Sequence, residues 1–451
     1  MFRLPEILDR REVLEFISES ASYGNLGGFI GAGFSKAVLN DARDEIALSW
    51  GDLLKRACQN LEVDYDAIGT AGVGYPEIAS AICKAHALSK GCDYSEALGK
   101  LKREIASLTS WYPDQEKREK YSAYLVSLSP SWIITTNYDL VIESLLTGKS
   151  IPLGPNDPLS SPEGVIPVFH LHGLRTSPEE IIIAQEDYVA LFRPSEYRQI
   201  KLALTIKEST TLLLGYGLGD VNVLTALDWS RNVFKSAEVN YPNDVIQILR
   251  KDDPVAQPYR DRHGIVIMEV GDISNFFDEF RDVRREQLEK RRKEQDELTE
   301  LASKLDKPDN ETIEKFIDDS AFRDELLKKL SRFSIHLVSG FVSFLDKCLN
   351  ETWIRSKPDG AFEGYNQNLT LILDILTTFE IDRFPPALFQ TAAYGLQRLG
   401  RYIGDERGQS YAAYRTWCER KGQLPKEIVA ELSSIASQHG YDHVTKLVKT
   451  I

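Results

Sequence analysis

A chain of 451 residues, 42% of them hydrophobic, has material for two or three domains and a large core. Its net charge of −14 opposes broad binding to a phosphate backbone, so direct nucleic-acid binding is not expected. Met1-Phe2-Arg3-Leu4-Pro5 has no apolar export core, no apolar stretch nears the roughly 20 residues that span a bilayer, and the five cysteines lack paired spacing, so a cytoplasmic setting without membrane contact is expected.

Residues 1 to about 25 read as a leading helix, with Val13, Phe16 and Ile17 at helical spacing. Leu26 to Ile30 is a short apolar run suited to a buried parallel strand, and Gly31-Ala32-Gly33-Phe34-Ser35 lets the backbone turn sharply into a helix. Such a turn aims N–H groups at an anion, most often a pyrophosphate, because the helix N-terminus adds positive charge and Gly has no Cβ in the way. Ser35 would add a hydroxyl donor. A tight turn without any ligand is the alternative for this segment alone, and the incomplete GxGxxG argues against ordinary dehydrogenase chemistry.

Between Trp50 and Ser129 the pattern is mostly helical, as in Ile78-Ala79-Ser80-Ala81-Ile82 and Leu98 to Leu108, which predicts a helical subdomain over about 50–130. Trp132 to Thr135 then reads as a second buried strand, followed by Thr136-Asn137-Tyr138-Asp139. Asn137 and Asp139 would face a crevice at the strand's end, or cap the helix beginning at Leu140. Pro152, Pro155, Pro158 and Pro162 mark a surface loop that could cover the site.

Val165 to Leu171 is β-prone and ends in His172-Gly173, which places a proton acceptor at a strand end. With His170 it makes a His-x-His pair whose rings would share one face of a strand and could bind a divalent metal. No HExxH or paired CxxC accompanies them, so no metal is expected and His170 reads as structural. Ile181-Ile182-Ile183, Thr211 to Gly215, Val245 to Leu249 and Ile265 to Val270 are further strand-like runs. Their alternation with helical segments predicts an α/β fold with a Rossmann-like, doubly wound parallel sheet.

From Phe280 the character changes. Residues 281–306 read as a charged connecting helix in which Asp282, Glu286, Glu289 and Glu294 offset the basic residues, and Lys307-Pro308-Asp309-Asn310 as a break. Residues 307–451 read as an all-α C-terminal domain, with stripes at Leu369, Ile372, Leu373, Leu376 and at Ala392, Leu396, Leu399, Ile403. Trp353, Trp417 and the tyrosines near Tyr411 read as core. The bundle would drive self-assembly or dock a partner.

Taken in order, the Gly31-Ala32-Gly33-Phe34-Ser35 loop, the Thr136-Asn137-Tyr138-Asp139 loop, His172-Gly173 and the late Thr211-to-Gly217 segment with Asp220 behind it resemble the sirtuin family over about residues 20–275. Cys58, Cys83 and Cys92 have no CxxC spacing, unlike the zinc ribbon of protein-deacylating sirtuins. The Thr-Thr-Asn-Tyr-Asp string, with Trp50-Gly51-Asp52-Leu53-Leu54 and Glu186-Asp187-Tyr188, is similar to bacterial sirtuin-like NADases of anti-phage defence.

That resemblance implies a domain over 1–280 that takes NAD as substrate and hydrolyses it to nicotinamide and ADP-ribose. Asn137 would orient the ribose or the attacking water, and His172 would take a proton from a ribose hydroxyl or water. Thr136 and Asp139 would contact the cofactor, with Asp139 on the nicotinamide carboxamide. Gly31, Ala32, Gly33, Phe34 and Ser35 would cradle the phosphates, and Gly215, Tyr216 and Gly217 would lie against the adenosine half. Such an enzyme must be gated, whether by homo-oligomer assembly, by a hexameric translocase ATPase or by another defence partner. An NAD-dependent protein deacylase and a non-catalytic sensor of NAD or ADP-ribose are the alternatives.

Overall fold

The computed structural model describes residues 4–41, 45–69, 72–158, 160–191, 197–216, 244–332, 338–356, 362–380 and 386–451. The chain divides into two compact units, Met1–Glu289 and Lys290–Ile451.

The first unit begins with α1 (Arg10–Ser22), whose N-cap Asp9 accepts from the N–H groups of Arg11 and Glu12, and whose buried face carries Val13, Phe16 and Ile17. Then come β1 (Leu26–Ile30), α2 (Ala32–Leu39), α3 (Trp50–Asn60), α4 (Tyr75–Lys90), α5 (Tyr94–Leu108), α6 (Gln115–Leu128), β2 (Trp132–Thr135), α7 (Val141–Leu145), β3 (Ser150–Leu153) and β4 (Ile166–His170). After these follow α8 (Gln185–Leu191), α9 (Tyr197–Glu208), β5 (Thr210–Leu214), β6 (Val245–Arg250), β7 (Tyr259–Arg260), β8 (Val266–Val270) and α10 (Ile273–Asp306).

The eight strands among the described residues form one sheet in the order β3-β4-β2-β1-β5-β6-β8-β7, parallel throughout except for the β7–β8 pair. β1 is central because it pairs with β2 on one side and β5 on the other. The strand order reverses at β1, and in open α/β sheets such a switch point is where the strands' C-terminal ends present a ligand site. Burial on both faces explains why these strands read as continuous apolar runs. Leu26, Ile30, Ile133, Leu212 and Leu214 pack on one face with Phe34, Tyr121, Tyr124 and Phe277. Phe29, Trp132, Ile134 and Leu213 pack on the other with Ile206 and Tyr216.

The helical segment divides its loyalties. Helices α3, α4 and α5 share a separate core made of Leu54, Ala57, Ile78, Ile82, Leu101 and Ile105, whereas α6 contributes Tyr121, Tyr124, Leu125 and Leu128 to the sheet's core. Two local expectations need correction. Ile181-Ile182-Ile183 is not a strand: Ile181 and Ile183 bury into the α3–α5 core, and the Ile182 N–H donates to the His172 carbonyl at 2.8 Å. Pro152 lies in β3, not in a loop. β3 is an edge strand, where the missing N–H removes no ladder bond.

Helix α10 buries Phe276, Phe277 and Phe280 in the first unit's core, while Leu301 and Leu305 belong to the core of the second. The second unit continues with α11 (Asn310–Asp318), α12 (Ser320–Arg332), α13 (Val338–Arg355), α14 (Glu363–Thr378), α15 (Pro386–Leu399), α16 (Tyr411–Arg420), α17 (Lys426–His439) and α18 (Asp442–Val448). The break at Lys307-Pro308 is followed by the N-cap Asp309, which accepts from the Thr312 N–H at 2.7 Å. Asp309→Ala is expected to destabilise the start of this helix, read as a lowered midpoint in urea unfolding with an unchanged slope. Among the described residues, no helix is long and apolar enough to cross a membrane.

Candidate functional site

The turn after β1 and the turn after β5 lock into each other. Gly31 N–H donates to the Leu214 carbonyl and Gly33 N–H to the Gly215 carbonyl, each at 2.9 Å. Gly215 has φ +60°, and a Cβ there would stand 2.0 Å from the Phe34 nitrogen. A Cβ on Gly31 or on Gly33 would meet the Gly215 carbonyl oxygen at 2.7 Å. The chain's own packing therefore demands glycine at these positions before any ligand is considered. Gly31 caps α2 without a side chain and Gly33 is exposed, but the Gly31 and Gly33 N–H groups are given to the β5 turn, so the start of α2 offers an anion its helix dipole rather than these two donors.

Two members of this loop turn inward. The Phe34 ring is fully buried against Tyr121 and Phe277, and its N–H donates to the Gly31 carbonyl. Ser35 is fully buried as well, and its hydroxyl donates to both Asp139 carboxylate oxygens at 3.2 Å while accepting from the Asn137 side-chain amide at 3.1 Å. A hydroxyl has one hydrogen to give. Ser35 gives it to Asp139 here, which makes it the joint between the β1 and β2 loops.

Asn137 is held at three points. Its N–H donates to the Thr135 hydroxyl at 3.1 Å, its carbonyl accepts from His170 Nδ1 at 2.8 Å, and its amide meets Ser35. Since a carbonyl only accepts, Nδ1 carries a proton. His170 Nε2 lies 2.8 Å from the Glu143 carboxylate, so both ring nitrogens are engaged and the ring is a brace for the Asn137 loop. Thr136 is buried, with its hydroxyl 3.5 Å from the Tyr216 hydroxyl. Tyr216 packs edge-on to Phe29, and its carbonyl accepts from Gln247. Gly217 and Asp220 lie outside the described residues.

His172 does not share a strand face with His170, because β4 ends at His170 and alternation stops there. The His172 ring is fully buried, edge-on to Tyr188 at 5.3 Å and to Trp50 at 6.3 Å. Trp50 also packs against Tyr75 and Tyr138, and the Tyr138 hydroxyl donates to the Ile182 carbonyl. Tyr138 thus connects the Asn137 loop with the loop carrying His172. Among the described residues, no group of three or more His, Cys, Asp or Glu is arranged to hold a metal. Glu143 and Lys102, whose part is described below, escaped the sequence reading; their partners lie 27 and 85 residues away in the chain.

Burial pushes the Asp139 carboxyl up to about 6, with Glu143 adding to the rise against the restraining Val141 N–H, His170 and Ser35. For His170, burial works to lower the pKa, but the facing Glu143 carboxylate and the Asn137 carbonyl outweigh it, and the net direction is up. An acid whose folded value lies above its unfolded 3.8 keeps its proton in the native state after the unfolded chain has lost it. That contribution to stability is full below the unfolded value and is lost as pH rises toward about 6. Asp139→Asn is therefore expected to gain thermal stability relative to the wild type as pH is raised from about 4 to about 6.5. Calorimetric midpoints of the two proteins across that window check it; a constant difference would refute it.

Residues 131–268 match the family model of the SIR2-like domain. The match runs from the start of β2 into β8 and includes Asn137, Asp139, His172, Gly215 and Tyr216. It leaves out the Gly31–Ser35 turn and helices α3 to α6. It supports a place in the sirtuin-like superfamily and an NAD-related activity in general. No curated protein matches the chain.

Proposed function

We propose that the protein is an NAD⁺ hydrolase that breaks the bond between nicotinamide and ribose, releases nicotinamide and ADP-ribose, and acts by depleting cellular NAD⁺ in anti-phage defence. The observation that carries this reading is the meeting of Ser35, Asn137 and Asp139 in one buried hydrogen-bonded set at the start of α2. The strand order adds to it. Counting β1, β2, β4, β5, β6 and β8 from one to six, the sheet runs 3-2-1-4-5-6, the order of dinucleotide folds.

The residues suit the chemistry. Cleavage passes through an oxocarbenium-like state, which needs a held leaving group and nearby acceptors. The electron pair of the broken bond leaves with nicotinamide, a water oxygen takes its place on the ribose carbon, and His172 receives that water's proton. Asn137 orients the ribose or the water, Asp139 holds the carboxamide, and the backbone from Gly31 to Gly33 with the turn at Gly215 carries the rest of the dinucleotide. Enclosure of His172 by Trp50 and Tyr188 favours a water-sized nucleophile over an acyl-lysine side chain, and so hydrolysis over deacylation.

Gating would come through the all-α unit, by self-assembly or by a partner such as a hexameric translocase ATPase, in the cytoplasm. The test is incubation of the protein with NAD⁺ over a range of concentrations, following nicotinamide and ADP-ribose by chromatography beside His172→Ala and with an acetylated peptide in a parallel arm. Nicotinamide release that needs His172 and no peptide is expected. Release only with the peptide would replace hydrolase by deacylase, and intact NAD⁺ at every concentration would favour a binding role.

A further inference from the structure

The string Glu186-Asp187-Tyr188 opens α8, and each of its side chains reaches a different part of the molecule. Glu186 accepts from the Ser80 hydroxyl of α4 at 2.8 Å and from the Tyr94 hydroxyl at the start of α5 at 3.1 Å. Asp187 accepts from Lys102 Nζ of α5 at 2.8 Å with one carboxylate oxygen and from the N–H groups of Ile183 and Ala184 with the other. Tyr188 sets its ring edge-on to His172. Two acids grip the helical insertion while the third residue touches the histidine.

The grip is a buried one. The Lys102 and Asp187 side chains are 11% and 16% exposed, which makes the pair costly to break from one side. The Arg175 Nε–H donates to the Ala106 carbonyl of α5, and the Gln185 N–H to the Ser80 hydroxyl, so the segment following His172 is tied to the insertion at several independent points. The insertion also supplies Trp50, the other ring against His172.

We propose that helices α3 to α5 are a working part of the site, with Lys102 acting through Asp187 as a positioning residue that fixes Tyr188 and thereby the orientation of the His172 ring. Lys102 touches no reacting atom. The inference rests on the role given to His172 above, and the experiment separates the two.

Lys102→Met keeps the aliphatic stem and leaves Asp187 without its cation. Asp187→Asn leaves Lys102 without its anion, and the double variant restores a neutral pair. Each single variant is expected to lower kcat about 10- to 100-fold with the NAD⁺ Kd changed by less than about threefold. Each should also shift the His172 imidazole resonances in nitrogen-15 NMR spectra, and the double variant should recover both readouts in part. Glu186→Ala, at the exposed rim, should give a smaller change of the same kind and serves if Lys102→Met does not fold. Singles that lower the melting temperature yet leave kcat and the His172 resonances where they were would overturn the proposal and make the insertion a structural support only. If wild-type protein fails to hydrolyse NAD⁺ while the resonances still move with Lys102, the positioning stands and the hydrolase reading falls.

Discussion

His172→Ala is expected to reduce NAD⁺ turnover by about 10²- to 10⁴-fold, the range for loss of a positioned general base. Binding should suffer far less, because the turn at Gly31 to Gly33 and its partner at Gly215 are built from backbone contacts that His172 does not make. The variant also empties a fully buried position between Trp50 and Tyr188, so part of any loss could come from collapse of those rings into the gap. His172→Asn separates the effects: it fills most of the space but cannot take a proton near neutral pH. If the proton matters, both variants lose turnover alike; if packing alone matters, Asn recovers most of it. Rates of nicotinamide release and NAD⁺ affinities by calorimetry decide, and an Asn variant with near wild-type turnover would remove His172 from the chemistry.

The inner strands were legible because both faces of the sheet are covered there, whereas the half-exposed edge strand β3 was read as a loop. Leu26 to Ile30 and Trp132 to Thr135 carry unbroken apolar runs that only a doubly buried strand or a short core segment requires. The same rule misread Ile181-Ile182-Ile183, where the apolar triplet faces a helical core and never reaches the sheet. β7 spans only Tyr259–Arg260 and left no period to detect.

In the site, each loop was visible as a string, but the way the strings share protons was not. Ser35 and Asn137 are 102 residues apart, and Glu143 and His170 are 27 apart. Local reading saw Ser35 only as a hydroxyl at a helix start, with no sign of its buried partners. The fold gives its hydrogen to Asp139 because β1 and β2 are neighbours in the sheet. The His-x-His pair shows the same limit, since a strand ending one residue earlier sends its two rings to unrelated partners.

In the C-terminal unit the largest expected loss of stability belongs to Asp374→Ala. One oxygen of Asp374 meets Arg323 Nε at 2.6 Å and the other meets Arg420 at 2.7 Å. Arg323 also donates to the carbonyls of Phe316 and Ile317, closing the end of α11, and its side chain is only 6% exposed. Without Asp374 that guanidinium remains buried with carbonyl acceptors but no anion, a loss of about 3–5 kcal/mol. The Arg355–Asp318 pair makes the contrast, because its members are 26% and 50% exposed and water screens them; Asp318→Ala should cost no more than about 1 kcal/mol. At about 2–4 °C per kcal/mol for a unit of this size, Asp374→Ala should lower the corresponding calorimetric transition by roughly 10 °C. Asp374→Leu combined with Arg323→Met and Arg420→Met should recover only part of that loss, because it removes the stranded charge but also takes the donor from the Phe316 and Ile317 carbonyls. A midpoint for Asp374→Ala within about 2 °C of the wild type would mean that water or another group reaches Arg323, and that the network holds the bundle far more loosely than its geometry implies.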